Sequence, residues 1–330
     1  MSRETVLSLL LAHPGEYLSG AAMSRTLGVS RAAVWKAIEA LRQEGYEITS
    51  APNRGYRLES APDRVREGEL SGHLAGCLVG SRLLCLDTID STNTEAKRQA
   101  MAGAPEGLVV LAEEQTGGRG RLGRSFQSPR GCGLYLTALL RPQLPPIEVV
   151  DFTAWVAVAV CDGIQAACGV RPRIKWTNDI VLEGKKLCGI LTEMGLENEI
   201  NALQYLVTGI GVNVNQRPED FSPDVRPIAA SLFNVLGRPV RRSELAVQII
   251  RALDRMYSAF PQGTADYLPR NRADSLTHRY RVQLITPPSR PVASALSIDD
   301  EFRLVVEYDD GRREALSAGE VSVRGMYGYV

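Results

Sequence analysis

The chain has 330 residues, with 38 basic and 38 acidic side chains, 44% apolar and 23% charged residues. That length accommodates two or three domains with cores of their own, and the even charge balance excludes a uniformly charged surface while leaving room for a local basic patch. The opening MSRETVLSLLLAHPGEY is apolar over too short a run for a membrane span and lacks the small-residue cleavage site of a signal peptide, so a cytoplasmic protein with no membrane partner is expected.

Residues 1–62 read as one module. ETVLSLLLAH has helical apolar spacing and stops at Pro14-Gly15. SGAAMSRTLGVS offers Ser19 as an N-cap and Gly28 as a turn. Ser30 then caps a helix with Ala33, Val34, Ala37, Ile38 and Leu41 as its expected buried stripe, ending at Gly45. Two helices around a glycine turn make a helix-turn-helix, and YEITSAPNRGYRLES adds a strand–turn–strand wing. Between residues 19 and 57 six basic side chains face three acidic ones. Arg31, Trp35 and Lys36 on the third helix would meet the major groove of DNA, with Arg54 and Arg57 of the wing near phosphate. A winged helix used only for protein contacts is the alternative.

Residues 63–276 follow a short connector and alternate apolar strand-like runs with helical patterns, as an α/β (α+β) domain around a buried sheet would. LVVLAEEQ, LYLTALLR and LQYLVTGIGVNVN read as strands, DFTAWVAVAVCDGIQAACG and RSELAVQIIRALDRMYSAF as helices, and RIKWTNDIVLEGKKLCGILTEMG as a hairpin. Residues 277–330 change to short strands with a turn at Asp310-Gly311, the pattern of a small five-stranded β-barrel.

GGRGRLGRS (117–125) spells the glycine spacing of a dinucleotide fingerprint and nearly that of a phosphate loop. Both motifs need a helix directly after the glycines. Here FQSPRGCGLYLTALL follows, with Pro129, Gly131 and Gly133 leading into a strand, so neither applies. What distinguishes the loop is Arg119, Arg121 and Arg124 on a glycine backbone, permanent cations that grip phosphate or carboxylate through paired hydrogen bonds. Such a loop would order around an arriving anion. KWTND (175–179) and KKLCGIL (185–191) flank a turn at Glu183-Gly184. TGIGVNVN carries amides at Asn213 and Asn215 on a glycine-rich strand against which a flat ligand could lie. DTIDSTNTEAK places Ser91, Thr92 and Asn93 where a strand gives way to a helix. The six cysteines (77, 85, 132, 161, 168, 188) contain no C-x-x-C pair, and His13, His73 and His278 are far apart. Reduced packed thiols, no three-histidine metal site and no histidine base are therefore expected.

Taken together, DSTN, EQTGGRGRLGR, SPRGCGLYLT, KWTNDI, KKLCGILTE and GIGVNVN resemble, in order and spacing, the signatures of bifunctional biotin–protein ligases that double as biotin-operon repressors. The resemblance spans the whole chain. It implies a central mixed-sheet catalytic domain of the biotin/lipoate ligase type between a winged helix and a small barrel. It implies ATP-dependent formation of biotinyl-5′-adenylate with Mg²⁺, and transfer of biotin to a lysine of the biotin carboxyl carrier protein of acetyl-CoA carboxylase. An adenylate-bound homodimer would repress at operator DNA. By position, the resemblance places Ser91, Thr92, Asn93, Gln115, Gly118, Arg119, Gly120, Arg121, Tyr135, Lys186, Leu191, Gly209 and Gly211 at biotin. Arg121, Phe126, Asn178, Lys186 and Asn213 fall at the adenylate, and Arg119, Arg121, Lys186 and Asp179 are the expected catalytic set. Thr177 stands where many relatives have Pro, which should loosen the hairpin, and Phe126 where Trp is common, which should make one pocket wall smaller. A lipoate- or octanoate-type ligase, or a biotin-sensing repressor without ligase activity, are the alternatives.

Overall fold

The computed structural model describes residues 3–197, 202–277, 280–285, 291–317 and 322–325. His278 lies outside them. The N-terminal module is three helices and a two-stranded ribbon: α1 (Arg3–Leu11), α2 (Gly20–Leu27), α3 (Arg31–Gln43), β1 (Glu47–Ala51) and β2 (Gly55–Ser60). Ser19 and Ser30 cap α2 and α3 through their hydroxyls, and Gly28 turns between them at φ 66°. Val34, Ile38 and Leu41 of α3 are buried against Val6, Leu7, Leu10 and Met23. Ala33 is exposed: it lies in the first turn, one residue ahead of the buried stripe.

The connector ends in a short helix, α4 (Glu67–Leu70), which ties the module to the rest. Ser8 Oγ donates to the Gly68 carbonyl at 2.9 Å, and Tyr46 Oη donates to Glu69 at 2.7 Å. Arg241 grips the other Glu69 oxygen at 3.2 Å. Burial pushes the Glu69 carboxyl above its usual range, against the pull of those partners.

The central domain runs β3 (Arg82–Leu86), α5 (Thr92–Met101), β4 (Leu108–Ala112), β5 (Gly133–Leu140), α6 (Phe152–Cys168), β6 (Arg173–Lys175), β7 (Asp179–Leu182), β8 (Lys185–Glu197), β9 (Ala202–Asn213), α7 (Leu232–Leu236), α8 (Arg242–Ala259) and α9 (Thr264–Asp274). Its seven strands order as β3-β4-β5-β9-β8-β7-β6, with only β3 and β4 parallel. The stretch 173–195 makes two turns rather than one hairpin: β6 pairs β7 across 176–178, and β7 pairs β8 across Glu183-Gly184. The second turn has positive φ at both residues (50° and 75°), the geometry that matches strand twist in a two-residue hairpin.

Strand alternation gives this sheet two faces. Leu134, Leu136, Ala138 and Leu140 of β5, with Leu206, Ile210 and Val212 of β9, join the large core under α6 and α8. Leu139 and Val207 turn the other way and pack with Val110, Ala96 and Ala100 under α5. Past the end of that smaller core, the same face carries Gly209 and Gly211, and there the site opens.

The C-terminal part is β10 (Arg281–Ile285), β11 (Val292–Ile298), β12 (Leu304–Tyr308), β13 (Arg313–Leu316) and β14 (Ser322–Gly325). They form one antiparallel sheet in the order β13-β12-β11-β10-β14. It docks on the central domain through Phe302, whose carbonyl accepts from Trp176 Nε1 at 3.1 Å.

Candidate functional site

On the open face, DSTN forms a cradle. Ser91 occupies the N-cap position of α5, but its side chain does not cap the helix. The helix start is satisfied from outside: Thr92 N and Thr92 Oγ1 both donate to Gln115 Oε1, at 2.8 and 3.0 Å. Gln115 Nε2 donates in turn to Ser128 Oγ at 2.8 Å. Asn93 lies across Gly209, where a Cβ would collide with its amide oxygen. Its Nδ2 donates to Leu191 O at 3.1 Å and Glu193 Oε2 at 2.9 Å.

Residues 117–128 fold as a small hairpin instead of a helix. Gly120 N donates to Arg124 O at 2.7 Å and Phe126 N to Gly118 O at 2.9 Å, with Leu122 and Gly123 turning at positive φ. Arg121 is tucked inward: Nη1 reaches Asn178 Oδ1 at 3.2 Å and Thr177 Oγ1 at 3.4 Å. The hydroxyl at 177, which Pro would lack, thus touches this arginine. Burial draws the Arg121 guanidinium below its usual pKa, Asp179 opposes that and Arg124 adds to it. Arg119 and Arg124 stay exposed on the rim. Phe126 lies over Gly211, where a Cβ would come within 2.6 Å of the ring.

Lys186 and Asp179, on adjacent strands, form an ion pair of 2.6 Å. They mark a junction. A narrow cavity of about 120 Å³ runs from the DSTN cradle over Gly209 and Gly211 to Lys186. A wider one of about 740 Å³ lies beyond, walled by Phe221, Val225, Ile228 and Ala229, with Ile285 of the C-terminal sheet. Arg124, Ser125, Phe126, Asp179 and Lys186 line both.

Of the residues singled out from sequence, Ser91, Thr92, Asn93, Gln115, Arg119, Gly120, Arg121, Phe126, Asn178, Asp179, Lys186, Leu191, Gly209 and Gly211 converge on the narrow cavity. Asn213 lines the wider one. Its Nδ2 is already bonded to Ala230 O at 3.1 Å, and so holds the wall segment in place. Tyr135 and Gly118, which the resemblance placed at biotin, line neither cavity, and nor does Asn215. Tyr135 is 1% exposed, with its hydroxyl on Pro129 O at 3.0 Å, and supports Phe126 edge-on from behind. Gly118 lies behind the hairpin, where any Cβ would strike Phe126 O.

The sequence reading missed Thr137, Glu193 and the 220–229 wall. Thr137 left a trace, a lone hydroxyl amid the apolar run LYLTALL. The wall left none, because its apolar residues are spread over an irregular segment.

In the winged helix, Arg31, Trp35 and Lys36 lie together on the exposed face of α3, with Trp35 54% exposed. Arg54 and Arg57 both lie over the Tyr17 ring, at 4.3 and 4.7 Å from its centroid, which holds the wing against the loop ahead of α2. Among the described residues no group of three metal-binding side chains is found, and no helix is long and apolar enough to cross a membrane.

Comparison with known proteins agrees with this geometry. Residues 85–213 match the Biotin/lipoate A/B protein ligase family, and residues 2–57 an HTH domain. The bifunctional ligase/repressor BirA of Bacillus subtilis is 36% identical over 96% of this chain and 97% of its own length. That of Escherichia coli is 32% identical over 96% of each. The Aquifex aeolicus biotin protein ligase, solved in complex with biotin and ATP, superposes with a TM-score of 0.63 over 74% of this chain and 99% of its own, at 24% identity. The same fold is thereby seen in a second chain. By its identity to both BirA proteins over nearly its whole length, the chain belongs to the family of bifunctional ligase/repressors.

Proposed function

We propose that the protein is an ATP-dependent biotin–protein ligase that also represses transcription. The observation that carries this reading is the meeting of two cavities at Lys186. A neutral, hydrogen-bonding cradle opens toward the lysine from one side, and a wider chamber of mixed apolar and charged lining from the other. A vitamin carboxylate and a nucleotide α-phosphate would be brought together there.

In the first step a biotin carboxylate oxygen attacks the α-phosphorus of ATP, the bond to the β-phosphate breaks and pyrophosphate leaves. Two anions must approach, so the site needs fixed cations more than a base. Lys186 and Arg121 offset that repulsion and the charge gathering on the phosphoryl oxygens. Arg119 and Arg124 add positive charge at the rim. Asn178 holds Arg121, and Asp179 holds Lys186. In the second step a neutral lysine amine of a biotin carboxyl carrier protein attacks the acyl carbon. An amide forms, AMP departs and the amine gives up a proton. Phe126 and the hairpin cover the mixed anhydride and exclude water until then. Mg²⁺ would accompany the nucleotide and neutralise phosphate charge; Asp179, Asp220 and Asp224 line the chamber but form no ligand cluster of their own.

Residues 1–62 would bind operator DNA through Arg31, Trp35 and Lys36, with Arg54 and Arg57 on phosphate, and residues 63–276 and 277–330 would act as the catalytic and C-terminal domains. Two-fold operators call for a homodimer. Strand β8 beyond Ile190 pairs only with β9 among the described residues, which leaves an edge available for such pairing. A cytoplasmic location follows from the proposed ATP, carrier-protein and operator-DNA partners.

Incubation with biotin and ATP should release pyrophosphate and biotinylate a carrier domain, and a gel shift on operator DNA should strengthen when both are added. Biotin binding without pyrophosphate release would leave only the sensing repressor. Turnover of lipoate or octanoate in place of biotin would favour the lipoate-type reading.

A further inference from the structure

Thr137 takes no part in the chemistry above, yet it sits at the centre of the cradle. It lies in mid-β5, 0% exposed, paired across the sheet with Gly209. Its hydroxyl is 2.9 Å from Thr92 Oγ1 and 2.7 Å from Asn93 Oδ1. A threonine hydroxyl has one hydrogen, so Thr137 donates it within this pair.

The rest of the cradle is fixed in sequence. The Thr92 hydroxyl hydrogen goes to Gln115 Oε1, and Gln115 Nε2 is directed at Ser128 Oγ. Asn93 gives both amide hydrogens away, to Leu191 O and Glu193 Oε2, and Lys97 anchors the other Glu193 oxygen at 2.8 Å. Every polar side-chain hydrogen of Thr92, Asn93 and Thr137 is therefore committed inside the protein. What Thr92 and Asn93 have left for a ligand are lone pairs.

We propose that Thr137 is a positioning residue that, by committing its one hydrogen within the Thr92–Asn93 pair, fixes both side chains with lone pairs left for a ligand and so sets the cradle for a ligand ring bearing N–H donors. The proposal rests on the biotin reading of this site, since the cyclic urea of biotin presents two such donors. Glu193 acts from the far side: it holds the Asn93 amide so that its oxygen, not its nitrogen, faces Thr137. A ligand with an all-carbon chain would gain nothing from this arrangement.

Thr137→Val keeps the side-chain shape and removes the hydrogen, whereas Thr137→Ser keeps the hydrogen. In the full-length protein, T137V is expected to weaken biotin binding, read by calorimetry and by KM for biotin, by about tenfold. KM for ATP and kcat should stay within about twofold of wild type, and T137S should recover most of the affinity. Unchanged biotin affinity in T137V, or equal loss in T137S, overturns the proposal. A wild-type protein that does not bind biotin overturns the reading of the site itself. If T137V does not fold, Glu193→Ala carries the test: a raised KM for biotin at constant KM for ATP supports the proposal, and no change in either defeats it.

Discussion

The two halves of the site are built on opposite plans. The cradle is lined by neutral, buried groups mounted on a sheet and a helix start; Ser91, Thr92 and Asn93 are 3%, 3% and 4% exposed. At the junction, the side chains are charged and come from a hairpin loop and two strand ends. Leu122 at the hairpin tip is 68% exposed. The difference separates two tasks. A ring of fixed shape is best matched by donors and acceptors that cannot turn, since each mispaired buried group costs about 1–3 kcal/mol. A reaction between anions, followed by release to an incoming protein, calls for permanent charge on a segment that can open.

This contrast sorts the consequences of mutation. Lys186→Ala removes the cation at the junction. Pyrophosphate release should fall by roughly a hundredfold or more in kcat with little change in biotin affinity, measured by steady-state kinetics beside calorimetry. A rise in KM for biotin alone would place Lys186 on the cradle side instead. Arg121→Gly should leave adenylate formation detectable but let the adenylate escape on the order of tenfold faster, seen as free biotinyl-adenylate and indiscriminate labelling of lysines. Operator binding by the winged helix without ligand should be unaffected. Gly209→Ala pushes on the Asn93 amide, so KM for biotin should rise by about tenfold while KM for ATP holds, the reverse of a junction defect.

The smallest effect concerns neither half but the seam to the winged helix. Burial raises the Glu69 carboxyl in the folded protein. The stabilisation tied to its protonated form is complete below the ordinary glutamate value and is lost as pH climbs through the raised one. Glu69→Gln mimics the protonated form. It should therefore raise the melting temperature by about 2 °C at pH 7.5 and by less at pH 4, in calorimetric scans. A drop at pH 7.5 would mean that the Arg241 contact outweighs burial.

Much of this was legible in the chain. Serine caps, Gly28 and Gly45 delimit the recognition helix because capping is local chemistry. The glycine–arginine loop could be separated from both phosphate motifs because Pro129 and two glycines forbid a following helix. Less legible was anything that depends on which face of a strand meets what. Tyr135 and Leu191 alternate in the same way along their strands, yet one lines the cavity and the other backs Phe126. Residues 173–195 read as one hairpin, because Asn178-Asp179 is a weak turn signal beside Glu183-Gly184 when Gly and Pro are absent from Trp176–Asn178. The chamber wall at 220–229 is an irregular segment tied by Asn213 to Ala230, a contact no periodicity announces.

The central claim, that one sheet face offers a neutral cradle ending at a cationic junction, is tested most directly by a crystal structure with biotinyl-5′-adenylate. The account predicts the ureido ring against Ser91, Thr92 and Gln115 above Gly209, with the phosphate within hydrogen-bonding distance of Lys186 and Arg121. An anhydride bound elsewhere, or one seated while residues 117–124 point into solvent, would contradict it.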